Sequence, residues 1–402
     1  MKKLSIAVAV ALALPLSAHA LDFQVGSNTQ LSISGLLAVG QKWSKVEDNG
    51  RGTKNEQRLD DNTSRLIFSG STDLGNGLKA IGRIESRLTT DTRPSDALTE
   101  GQSPVTTRVG DATGWADGDT WFGLAGQWGQ ATFGKSTLYY TDTMAVPNFG
   151  LNGAGESYRT WDVQSLATFN LLSEVANGTT RYYTTGITRS RNVLRYDSPK
   201  FGGLDGSIAY TKNAAGDEQH CAATATSCAA DYTAGGTWYG RLRYNDGPLT
   251  ASLSLLDQKP QGSTLDTRGY RLGAGYTLPF NLKLGLVYDN TTVKNGVSTG
   301  KDAKRGVWML PVSYGFGDHM AYLTYTKAGN TSNVANSGAS QLTVGYDYAL
   351  AKNAFAGVFL TKLKNDSNGT YVPYLSGTAL GSSSPAKGEG WHQLSFNVNY
   401  WF

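Results

Sequence analysis

The chain has 402 residues and a formal charge of +4, with 36 lysines and arginines against 32 aspartates and glutamates. That balance gives no basis for nucleic-acid binding. Beyond residue 20 no apolar run approaches the ~20 residues that a helix needs to cross a bilayer, which excludes helical membrane spans.

The first element is not part of the fold. Lys2 and Lys3 precede an apolar run from Leu4 to Leu16, and Ala18-His19-Ala20 follows. A positive head, a short apolar core and an A-x-A site describe a secretory signal peptide. Residues 1–20 are therefore expected to be removed, leaving 21–402 as a single domain.

From Leu21 onward the chain reads as about sixteen alternating segments. Leu31, Ile33, Leu37 and Val39 alternate in the first, and later segments flank tight turns at Leu74-Gly-Asn-Gly77, Gln127-Trp-Gly-Gln130 and Lys200-Phe-Gly-Gly203. Hairpins continue through Asp246-Gly-Pro248, Pro279-Phe-Asn281, Gly317-Asp318 and Ala351-Lys-Asn353. Period-two alternation bounded by Gly, Asn, Asp and Pro is the strand signal. The last strand is the clearest: Leu394, Phe396, Val398, Tyr400 and Phe402 share one face, while Ser395, Asn397 and Asn399 share the other. An oily face repeated beside a polar one builds an antiparallel barrel in lipid with a wet interior. Low average hydropathy is no objection, since only alternate residues meet lipid, and the 49 glycines and nine tryptophans suit tight turns and aromatic girdles. Short turns alternate with longer polar loops, as in outer-membrane barrels.

One connection differs. About fifty residues between Thr137 and Ser190 show little alternation yet carry Tyr139, Tyr140, Met144, Phe149, Trp161 and Phe169. These side chains need a surface to cover; a loop folded into the barrel provides one, an outward lobe being the alternative. A second loop holds the only cysteines, Cys221 and Cys228. An exported chain meets an oxidising compartment, so a local disulfide is expected there, with two free thiols as the alternative.

Several segments, in order, resemble the general diffusion porins of Gram-negative outer membranes. They are Ser64-Arg-Leu-Ile-Phe-Ser-Gly-Ser-Thr-Asp-Leu-Gly-Asn-Gly-Leu-Lys-Ala80, Trp121-Phe-Gly-Leu-Ala-Gly126, Phe133-Gly-Lys135, Asn192-Val-Leu-Arg-Tyr-Asp-Ser-Pro-Lys-Phe-Gly-Gly203, Val344-Gly-Tyr-Asp-Tyr-Ala-Leu350 and the terminal Phe402. The resemblance implies an all-β, sixteen-stranded antiparallel transmembrane barrel in the outer membrane, a homotrimer, whose third outer loop folds into the lumen. It implies as partners outer-membrane lipid and lipopolysaccharide, small hydrophilic solutes and ions, and the barrel-insertion machinery, which reads the terminal aromatic, here Phe402. The match has departures. The family's Pro-Glu-Phe-Gly turn reads Pro147-Asn148-Phe149-Gly150, without its acid, and a basic residue common before the Trp121 strand is replaced by Gly118. Asp142 is the remaining candidate acid of that loop.

Alternation assigns the lumenal charges without the resemblance. Arg65 opposes Leu66 and Phe68; Arg83, Glu85 and Arg87 oppose Ile84; Arg191 and Arg195 oppose Leu194. Arg241, Arg243, Arg271 and Lys283 have lumenal parity too, with fewer acids: Glu85, Asp205, Asp289 and Asp347. Lys135 is put in the lumen by its family position, alternation around Phe133 leaving its side open. Arg65, Arg83, Lys135 and Arg191 match or neighbour the family's basic wall. The candidate pore residues are thus Arg65, Arg83, Arg87, Lys135, Asp142, Arg191 and Arg195. Charges in a constriction bias which ions pass. The expected function is passive diffusion with a modest anion preference, a channel selective for a sugar, organic acid or phosphate being the alternative.

Catalysis finds no support. His220, His319 and His392 sit in no recognisable signature. Asp111, Asp117 and Asp119 lack the spacing and terminal Glu of a calcium loop. No cofactor or metal is expected.

Overall fold

The computed structural model describes residues 21–47, 50, 52, 54–60, 64–88, 115–116, 118–136, 138, 174–178, 181–183, 190–211, 236–259, 266–297, 300–372 and 385–402. Strands β1 to β20 take the ranges Leu21–Val25, Thr29–Val46, Lys54–Asp60, Arg65–Gly75, Leu78–Arg87, Thr120–Gly126, Gly129–Ser136, Glu174–Ala176, Arg181–Tyr183, Ser190–Asp197, Leu204–Thr211, Gly236–Asp246, Leu249–Lys259, Thr267–Thr277, Leu282–Val293, Ala303–Phe316, His319–Ala328, Ala339–Ala351, Ala354–Asn365 and Gly390–Trp401.

All but β8 and β9 join one antiparallel sheet of 18 strands. Two of those do not count as crossings of their own: β3 and β4 pair successively along the same edge of β2, and β1 is a five-residue stub. Sixteen crossings remain, and the last, β20, pairs with β2 from Trp401↔Leu36 to Trp391↔Val46, so the sheet closes into a barrel. Closure leaves no unpaired edge facing lipid. The long connections all lie at one end, and turns such as Gly75-Asn76-Gly77 (φ 88°, 53° and 76°) lie at the other.

The side chains obey the alternation. In β14, Tyr270, Leu272 and Tyr276 are exposed on the outside, while Gly269, Arg271 and Gly273 are buried inside. In β20, Leu394 is exposed while Ser395, Asn397 and Asn399 are 0–1% exposed. Outward aromatics contact one another, across strands in Tyr270–Tyr288–Trp308 near one rim, and along β16 and across to β17 in Tyr314–Phe316–His319 near the other. These are the aromatic girdles of a membrane barrel.

The seam is held by an unusual close approach. Gly35 exchanges backbone hydrogen bonds with Phe402 (N→O 2.9 Å, and 3.1 Å in return). A Cβ on Gly35 would stand 2.6 Å from the Phe402 ring and 2.7 Å from the Arg65 carbonyl oxygen. The ring could turn away, but the carbonyl belongs to the paired strand. Gly35→Val is therefore expected to lower the yield of folded, heat-modifiable barrel on electrophoresis, as overpacking against backbone costs about 1–3 kcal/mol. Wild-type yield would contradict the packing.

The inner face departs from the uniformly polar surface expected. Val287, Val307, Met309, Phe359, Leu363 and Trp391 all point inward and are buried. Loop residues account for it: Ala176 and Tyr371 belong to the same buried apolar cluster. The inner wall is thus partly a packing surface for chain that enters from the rim.

Candidate functional site: the charged lumen

Two groups of ion pairs line the inner wall. The first lies on β4 and β5. Glu85, 1% exposed, accepts from Arg65 (Nη1···Oε1 3.2 Å) and from Arg83 (Nη2···Oε2 2.8 Å). Register makes this possible, since Ile67 pairs with Glu85 and Ser69 with Arg83, which puts Arg65 one step along the same face. Gly118 completes it. Its N–H donates to the Glu85 carbonyl oxygen (2.9 Å), and a Cβ there would lie 2.4 Å from Glu85 Cγ. The basic residue missing at position 118 is missing because the Glu85 side chain fills that space.

The second group crosses β10 to β16. Arg195 clasps Asp197 (Nη2···Oδ1 2.7 Å), which also accepts from Gln130 and Ser207. Arg241 and Arg243 share Asp205 at 3.0 and 3.1 Å. Arg271 and Arg305 share Asp289 at 3.1 and 3.5 Å, and Arg305 also donates to Tyr371 Oη (3.3 Å). Asp197, Ser207, Arg241, Ser254, Arg271 and Asp289 are successive cross-strand partners, so this is one continuous stripe.

The arithmetic of sharing is the chemical point. Glu85, Asp205 and Asp289 each serve two arginines. Such pairing holds the guanidinium groups in place, two arginines to one acid in each of these three sets among the described residues. Asp347, a further acid with lumenal parity, accepts from Tyr322 Oη (2.9 Å).

The sequence-derived candidates distribute unevenly. Arg65, Arg83 and Arg195 stand on the inner wall in these clusters. Arg87 pairs with Arg65 in register, and Arg191 lies in a stretch where the pairing shifts between Ser190 and Val193; their side chains lie outside the described residues, as do Asp142, Cys221 and Cys228. Lys135 requires a correction. It pairs with Thr120, on the face of the exposed Phe133 and Phe122, whereas the inward Thr132 and Ser136 are buried. Alternation runs unbroken through β7, so its ammonium ends at the rim on the Ala116 carbonyl (3.4 Å). Arg305 and Asp197 were missed although alternation marks both as inward. Tyr371 carries no sequence signal, being a loop residue brought in by tertiary contact.

Part of the long connection after β7 is visible at the opposite wall. Val175 of β8 is fully buried against Val293, Val297, Ala303 and Val334. Asn177 Nδ2 donates to the Gly296 carbonyl (2.7 Å), and Thr331 Oγ1 donates to the Ala176 carbonyl. Val293 and Ala303 are on the inward faces of β15 and β16.

A family model described as Gram-negative porin matches residues 7–368. The chain belongs to the Gram-negative porin family. It is therefore an outer-membrane channel protein. Outer membrane porin protein 32 of Delftia acidovorans is 28% identical over 318 residues, covering 77% of this chain and 76% of the relative. Among solved structures, an anion-selective porin from Comamonas acidovorans superposes with a TM-score of 0.67 at 23% identity, over 93% of this chain and all of that one. The trimer form of in-vitro folded OmpT of Vibrio cholerae gives 0.55 at 12%, over 94% and 100%.

Proposed function

We propose that this porin passes small hydrophilic solutes by diffusion and favours anions. The observation that carries the reading is that Glu85, Asp205 and Asp289 each meet two arginines, so that among the described residues guanidinium groups outnumber carboxylates on the wall of a low-dielectric cylinder. The 28% identical relative is a porin, and the solved structure that superposes with a TM-score of 0.67 is an anion-selective porin, in line with that reading. Liposome swelling tests it: vesicles carrying the protein should take up small neutral sugars in order of size, and small anions faster than cations of equal radius. Uptake of a single sugar with saturation would favour a substrate-selective channel instead.

The same reading has the connection after β7 cross the lumen. β7 and β10 lie on one side, while on the other Val175 packs on the inward Val293 and Ala303, and Asn177 and Ala176 bond Gly296 and Thr331 of the connections beyond the strands. Replacing both anchors, Asn177→Ala with Thr331→Val, is expected to raise open-channel noise and add brief closures in single-channel records. A record as quiet as wild type would remove the crossing loop from the account.

Processing at Ala20–Leu21 also fits the seam. Along β2, Phe402 sits opposite Gly35 and Leu21 opposite Ile33, leaving one position between them. We further propose a homotrimer, inserted by the barrel-assembly machinery and bathed in outer-membrane lipid including lipopolysaccharide. The strands β6, β7, β10 and β11 have only seven or eight residues, and their outward Phe122, Phe133, Leu194 and Ile208 are apolar, which suits contact with other copies.

A further inference from the structure

The outward wall dips where two small residues meet. Ala251 of β13 and Ala274 of β14 are cross-strand partners, and both point outward. At the same level Tyr244 of β12 pairs with Ala251, and Leu286 of β15 pairs with Ala274. At the next outward positions Leu253 faces Leu272 on one side, and Leu249 faces Tyr276 on the other. Two methyl groups are thus ringed by larger side chains. The dip is part of a furrow of about 490 Å³ that reaches Leu204 of β11 at one end and Trp308 of β16 at the other. Among the described residues no charged side chain lines it.

Depth decides what can fill it. On β14 the outward file runs Tyr270, Leu272, Ala274, Tyr276, so the dip lies between two aromatic residues. Aromatic rows mark the two faces of a bilayer, and the apolar band between them meets hydrocarbon. Ala274 stands next to Tyr276 in that file, which puts the dip in the leaflet on the side of the short turns. An unfilled hollow there would forfeit dispersion contacts along its whole lining. On a flat wall a hydrocarbon chain is touched from one side. In the furrow it is touched by the floor and by both walls, and in lipid such packing is what separates a held chain from a passing one.

We propose that this furrow holds one acyl chain of a phospholipid from the leaflet on the short-turn side. A methylene chain is thin enough to lie across the two alanines and flexible enough to follow the furrow between Tyr244 and Leu286. The inference needs only a barrel in a bilayer and does not depend on which solutes the pore passes.

The test uses the folded full-length protein in detergent, with bound lipid counted per chain by native mass spectrometry. The first probe is dipalmitoyl phosphatidylethanolamine, added across a concentration series. Wild type is expected to hold one copy per chain about tenfold more tightly than further copies. Ala251→Leu/Ala274→Leu, which fills the dip, should lose that tighter site and still conduct as wild type does. Ala321→Leu, at an outward position of β17 away from the furrow, should keep it. Two more probes act on wild type alone, so the outcome does not hang on how the variants fold. Dioctanoyl phosphatidylethanolamine should bind weakly, and dipalmitoyl phosphatidylcholine should bind like the first probe, because the furrow grips the chain and not the headgroup. Equal affinity of the filled variant and wild type, or an affinity that follows the headgroup instead of chain length, overturns the proposal. So does a filled variant whose oligomer falls apart with its lipid count unchanged, which would assign the furrow to a second copy of this chain.

Discussion

Changing opposite partners of the Glu85 cluster should move ion selectivity in opposite directions. Arg65→Gln with Arg83→Gln leaves Glu85 as the local charge, while Glu85→Gln leaves two arginines without their shared acid. A unit charge ~8 Å from a passing ion is worth ~0.5 kcal/mol in water, about twofold in local concentration. Anion and cation respond with opposite signs, so the permeability ratio moves about fivefold per unit charge. The arginine variant is expected to lose anion preference and drift toward cations, and Glu85→Gln to gain anion preference. Zero-current potentials in a potassium chloride gradient read both. A shift of the same sign in the two variants would show that pore shape, not fixed charge, sets selectivity.

Asp289→Asn should be the most destabilising single charge change in the barrel. Arg271 and Asp289 have no exposed side-chain area, and Arg305 has none either. Removing the acid leaves two buried guanidinium groups facing each other, a loss of about 3–5 kcal/mol. The Arg305 link to Tyr371 should loosen with it, freeing the last long loop from the wall. Denaturant unfolding from detergent micelles measures the loss. Replacing all three charges by Met, Leu and Met should recover most of it, because a well-packed apolar set avoids the desolvation cost. If the single variant unfolds at the wild-type midpoint, the triad is solvated and does not brace the wall.

The outer surface of this protein is legible in its sequence because a barrel in lipid imposes a strict rule on every second residue. Leu249, Ala251, Leu253 and Leu255 of one strand, or Tyr270, Leu272 and Tyr276 of the next, can face only the membrane. Parity then fixes the inward side of Arg65, Arg83 and Arg195. It cannot say which inward charge meets which, since that depends on register between strands. Asp289 lies in β15, and both of its arginines lie on neighbours that only pairing identifies. In the sequence, alternation around Phe133 leaves the side of Lys135 open and only the family position puts it in the lumen, whereas strand pairing places it on the face of the exposed Phe133. Alternation alone implies a polar inner wall because it treats the lumen as water, whereas Trp391, Phe359 and Met309 share a buried apolar cluster with the loop residue Tyr371. The departure at Gly118 was visible as a departure, but its reason, the bulk of Glu85, appears only in space.

The central claim is a water-filled pore whose wall keeps more positive than negative charge. The measurement that meets it most directly is the zero-current potential of the purified wild-type protein in a planar bilayer under a potassium chloride gradient. The account predicts steady ohmic steps and a potential of the sign set by chloride. A potential set by potassium, or a bilayer that never conducts, would contradict it.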